Sequence, residues 1–127
     1  MKTFVKTALA ASLLALAAGQ SQADQLLGTY VARISDRDHH ASDGYLLDTA
    51  AQMVRQDRAN VHKFGWVDAE DDDDPWFGTA NARARFEKLL NKSGAMNAAT
   101  RKAIAGGEPI VKVDVFANSV RVEVLGY

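Results

Sequence analysis

Apolar and polar positions alternate at both ends of the folded part of this chain and recur every three or four residues between them. Over Leu26–Ile34, Tyr30, Ala32 and Ile34 alternate with Thr29, Val31 and Arg33, the period of a strand. Both sets contain apolar residues, so cover on both faces is expected. Near the C terminus Val111, Val113 and Val115 alternate with Lys112, Asp114 and Phe116, and Val120, Val122 and Val124 with Arg121 and Glu123. With Asn118-Ser119 between them, the two runs predict a hairpin with one valine face. A two-residue turn at Asn118-Ser119 sets Asp114 against Glu123, like charges facing across a sheet. A four-residue loop, Asn118–Arg121, keeps the valines together and sets Asp114 against Leu125, and is the expected register.

Between these strands the period is helical. Leu47, Ala50, Val54, Val61 and Phe64 predict a helix over Tyr45–Phe64, with Ser42 or Asp43 placed to cap its start and Gly65 to end it in the left-handed conformation. A second helix opens at Thr79 or Asn81 and runs to about Lys92 on Ala82, Phe86, Leu89 and Leu90, with Gly94 as its stop. A third, Ala98–Ala105, is capped by Asn97 and ended by Gly106-Gly107. The order is β-α-α-α-β-β. Valines on one face of a small antiparallel sheet need a partner, and the amphipathic helices supply it. The expectation is a two-layer α+β domain whose sheet joins the N-terminal strand to the C-terminal hairpin.

Residues 1–23 follow another logic. Lys2 and Lys6 precede an apolar run from Ala8 to Ala18, and Ser21 and Ala23 fit the small-x-small rule of a secretory cleavage site. A cleavable signal peptide over 1–23 and a single domain over 24–127 are expected, in the periplasm or secreted. The apolar run is about half the roughly 20 residues that a membrane-spanning helix needs, so no membrane span is expected. The chain has 0 Cys, which excludes disulfides and thiolate chemistry. Removing Lys2 and Lys6 takes the net charge from −1 to −3, without the basic face of a nucleic-acid binder.

Candidate chemistry is concentrated in loops 35–44 and 65–78. Asp36, Asp38, His39 and His40 offer carboxylates and imidazoles, the groups of metal ligation and general-base work. Adjacent His39 and His40 do not readily face one ion, and no His-x-x-x-His spacing is present. Asp57 falls inside the apolar stripe of the first helix, beside Arg58. A buried carboxylate needs a partner, so Asp57 is expected in an ion pair, anchoring loop 35–44, or at a pocket rim. Glu70, Asp71, Asp72, Asp73 and Asp74 repel one another, and an oxygen-rich run suits weak calcium binding or a solvated face. Trp66 and Trp76 flank it and either pin the loop to the core or form a binding edge. No nucleophile elbow or phosphate-binding glycine loop is present.

The expected function is an exported, soluble binding module for a protein or small ligand, acting through the two loops and not as an enzyme. Two alternatives compete: a small hydrolase-like enzyme using Asp57 with a histidine, and a calcium-dependent structural protein.

Overall fold

A computed structural model describes residues 23–127. The expected export segment therefore lies outside the described residues, except for Ala23. Strand β1 is Leu26–Arg33, β2 Ile110–Phe116 and β3 Val120–Gly126; helix α1 is Ala50–Phe64, α2 Ala80–Leu90 and α3 Ala98–Gly106. The sheet order is β1-β2-β3, antiparallel throughout. The α+β architecture and its element order are as the sequence predicts.

The core is the seam between sheet and helices. Tyr30, Ala32, Val111, Val113, Val115, Val120 and Val122 face Val54, Phe86, Leu90 and Ile104 in one buried cluster. Phe77 stacks on Phe86 with ring centroids 4.0 Å apart, and Tyr30 meets both edge-on. The opposite face of the sheet carries Lys112, Asp114, Arg121 and Glu123, so the sheet is covered on one face only. Val31 and Arg33, on that outer face of β1, are half-buried.

Two expectations are corrected. Helix α1 starts at Ala50, not Tyr45. Thr49 is its N-cap, accepting from Gln52 N, while Gln52 reaches back to complete a capping box. Residues 39–47 form a small hairpin instead, with Ala41 N donating to Tyr45 O at 2.7 Å and Leu47 N to His39 O at 2.8 Å. Gly44 turns it at φ 95°, where a side chain would be strained. Asp43, expected to cap the helix, accepts from Tyr45 N inside this turn. The caps at Asn97 and Thr79 and the left-handed Gly65, at φ 69°, stand where the sequence places them.

The β2–β3 register matches neither expectation. Phe116 N donates to Ser119 O, so the turn is Ala117-Asn118. Asp114 faces Arg121, Lys112 faces Glu123, and each core valine faces a valine. Opposite charges thus meet across the strands. The turn is also held from outside: Asn118 N donates to Asp24 Oδ1, Ser119 Oγ to Asp24 Oδ2, and Ala117 N to Gln25 O.

Candidate functional site

The free edge of β1 positions everything around it. An unpaired strand edge exposes a row of main-chain donors and acceptors, and the acidic run covers this one. Asp72 N donates to Val31 O at 2.7 Å, and Val31 N returns a bond to Asp72 Oδ2 at 2.9 Å. Arg33 N donates to Asp71 Oδ1, and Arg33 Nε meets Glu70 Oε1 at 2.6 Å. The five acids therefore do not converge on one point, as a calcium loop requires. Glu70, Asp71 and Asp72 face β1, Asp73 is exposed, and Asp74 turns inward. Burial raises the Asp71 carboxyl, with the main-chain donors at Asp68 and Arg33 opposing it.

Asp74 leads to the buried centre. Arg58, fully enclosed, holds Asp57 Oδ2 through Nε at 2.8 Å and Asp74 Oδ2 through Nη1 at 2.9 Å. Its Nη1 also donates to Asp72 O, and its guanidinium lies 4.1 Å over the Tyr30 ring. Asp74 further accepts from Trp76 N, Phe77 N and His62 Nε2, the last at 2.7 Å. Burial acts to raise Asp74, but the His62, Arg58 and main-chain donors outweigh it and hold the carboxyl below its ordinary range. Asp57 has Arg58 as its bonded partner, and burial pushes it well above that range despite the guanidinium.

Loop 35–44 joins this centre through α1. Asn60 Nδ2 donates to Asp38 Oδ1 at 2.8 Å, one turn beyond Asp57, so Asn60 makes the hydrogen bond to the loop that Asp57 was expected to provide. Asp38 also accepts from Ser35 N. Burial raises its carboxyl, opposed by the bonds from Asn60 and Ser35. Carboxylate oxygens of Asp38, Asp57 and Asp68 lie within 4.8 Å of one another, as do ligand atoms of His62, Asp73 and Asp74. Both groups have the spacing of cation ligands. In the second, Asp74 has already committed its oxygens to four donors.

The histidines separate. His39 lies between Ser35 O at 2.8 Å and Ile104 O at 2.9 Å, so both ring nitrogens are occupied by main-chain carbonyls and the residue staples the loop to the end of α3. Nδ1 of His40 sits 3.2 Å from Asp36 O, and Asp36 N donates to Glu108 Oε1. His62 is the histidine that pairs with a carboxylate, and that partner is Asp74, not Asp57. It lines a groove of about 430 Å³ with Val61, Val67, Asp71, Asp72 and Asp73.

The tryptophans also differ. Trp76 packs on β1 so closely that a Cβ at Gly28 would come within 2.7 Å of its ring. Trp66 is 46% exposed and stacks on Phe64 at 4.6 Å. Arg37 lies 4.9 Å over the Trp66 ring and Lys63 5.2 Å over Phe64. The structure thus brings Asp38, Asp57, Arg58 and the inner part of the acidic run together, and places Trp66 against loop 35–44 through Arg37. His40 stands apart from that centre, and Trp76 joins it through its main-chain N–H to Asp74. The roles of His62 and Asn60 escaped the sequence reading. Their only signal was helical spacing: Asn60 lies three residues after Asp57 and His62 four after Arg58, each about one turn.

Compared with known proteins, the chain matches no family model, no curated protein and no solved structure. Among the described residues no helix is long and apolar enough to cross a membrane.

Proposed function

We propose that this protein is an exported binding module whose partner docks where loops 35–44 and 65–78 meet, centred on Trp66. The observation that carries the reading is the Phe64–Trp66 stack, exposed to solvent yet braced by Arg37 and Lys63. A large aromatic presented on a rigid support is the usual anchor of an interface. The support is rigid because the buried Asp57–Arg58–Asp74 network ties the loop after Trp66 to α1. Export rests on the sequence of residues 1–23, where Lys2 and Lys6 precede an apolar run that is followed by Ser21 and Ala23.

The test compares Trp66→Ala with Tyr127→Ala, an exposed aromatic elsewhere. Capture of a partner from the producing cell's extract should be lost with Trp66→Ala and kept with Tyr127→Ala. Equal capture by both variants rejects the Trp66 surface. Mass spectrometry of the exported protein should find Asp24 at its N terminus.

A second reading rests on His62. Asp74 orients its imidazole over an open groove, the arrangement of a general base and its orienting carboxylate. This reading predicts ester or phosphoester hydrolysis abolished by His62→Gln, and fails if no such activity is found.

A further inference from the structure

We propose that the groove between α1 and α2, closed at one end by Ala41–Asp43, binds a small organic oxyanion. The groove has a volume of about 420 Å³, within the range of small-molecule sites. At its wall lies Arg83, 7% exposed. Its Nη1 donates to Phe77 O at 3.0 Å, and among the described residues it has no carboxylate partner. Arginine carries its charge throughout the physiological range, and a buried charge is costly without a counter-ion. The other arginine in the groove, Arg55, is already matched by Glu87 at 3.2 Å.

The same lining holds two acids, Asp43, which accepts from Tyr45 N, and Glu87, which is paired with Arg55, while Gln52 and Ser42 are set to donate. Gln52 spends its acceptor oxygen on Asp48 N and Thr49 N in the cap of α1, which leaves its amide N–H groups as donors. The Ser42 hydroxyl accepts from Gln56 Nε2 at 3.3 Å and keeps its own proton to give. Lys63, whose Nζ lies 5.2 Å over the Phe64 ring, adds a third cation to the lining after Arg83 and Arg55. A guanidinium fork with an amide and a hydroxyl donor suits the paired oxygens of a carboxylate or phosphate. Leu47, Ala59 and Ala80 line the same groove and offer contact to a short organic body. The groove shares Lys63 and part of loop 35–44 with the Trp66 surface, but Arg83 and Gln52 belong to the groove alone, so either site can fail without the other.

The experiment measures thermal shift and calorimetric binding at constant ionic strength with succinate and with glycerol 3-phosphate. Succinamide and glycerol are the neutral controls. At least one anion should bind saturably while its neutral analogue does not, and the responding arm identifies carboxylate or phosphate. Gln52→Glu keeps an oxygen for the cap of α1 but replaces the donors with a negative charge, and should weaken binding at least about tenfold. Arg83→Lys, which keeps the charge and loses the fork, should also weaken it. No saturable binding of either anion, equal response to a neutral control, or unchanged affinity in Gln52→Glu overturns the proposal. Because Gln52→Glu preserves the cap, the result stands even if Arg83→Lys folds poorly.

Discussion

Asp57 and Asp74 bind the same guanidinium, one from helix α1 and one from the loop that follows it, yet the fold drives them in opposite directions. Asp57 has one bonded partner, and burial raises its carboxyl; Asp74 collects donors from Arg58, His62, Trp76 and Phe77, and its carboxyl is lowered. What separates them is the depth of burial, greater at Asp57, together with the number of hydrogen bonds each carboxylate accepts. An ion pair alone does not offset desolvation, whereas several donors aimed at one carboxylate do. The two tryptophans of the same loop repeat the contrast at larger scale. Trp76 is fixed by packing against Gly28, and Trp66 is braced by stacking and cations while it stays exposed.

Arg58 is common to both carboxylates, and its loss has the largest expected effect. Arg58→Met leaves both carboxylates buried without their cation and should cost about 3–5 kcal/mol, read as the midpoint shift in urea unfolding. If the loss is small, the two carboxylates are not held by this guanidinium. Gly28→Ala sets a methyl against the Trp76 ring, an overpacking that should cost about 1–3 kcal/mol, whereas Trp66→Ala should cost less than about 0.5 kcal/mol. Similar losses from these two changes would erase the distinction between the tryptophans.

The pH dependence sharpens the carboxylate pair. The folded value of Asp57 is raised, so its contribution is present below the unfolded carboxylate value, about 3.9, and is lost as pH rises through the folded value. For Asp74 the folded value is lowered; its contribution is present above about 3.9 and is lost as pH falls through the folded value. Asp57→Asn should therefore gain on the wild type as pH rises from about 4 to about 7. Part of the wild-type decline should remain, because Asp38 is raised by burial as well. Asp74→Asn should show its largest deficit near neutral pH, shrinking toward acid. Melting curves across that range distinguish the two, and parallel profiles would contradict the opposite shifts. A further effect on stability concerns the edge of β1. Asp72→Ala removes the acceptor for Val31 N, should cost about 1 kcal/mol, and should raise self-association detectable by sedimentation.

The elements themselves were legible because their signals are local. The valine alternation of Val111–Val115 and Val120–Val124, the cap at Asn97 and the stop at Gly65 each act within a few residues. The start of α1 was misplaced because Leu47 continues the helical spacing, while its main chain is committed to His39 across the turn at Gly44. The hairpin register was misplaced because three registers keep the valines on one face. Asp24 and Gln25, over ninety residues away in sequence, hold the turn of the observed one.

Of the site, helical spacing marked Asp57 as a carboxylate in need of a partner, and composition marked loop 65–78 as aromatic and acidic. Sequence by itself determined the periods, the caps and the placing of charge within an apolar stripe, since these follow from backbone geometry and nearest neighbours. Tertiary structure decided which charges meet. It turned the acidic run from a solvated face into the cover of an open strand edge, gave His62 to Asp74, and left Arg83 without a counter-ion. Those outcomes depend on distances between segments far apart in the chain, and no short-range pattern encodes them.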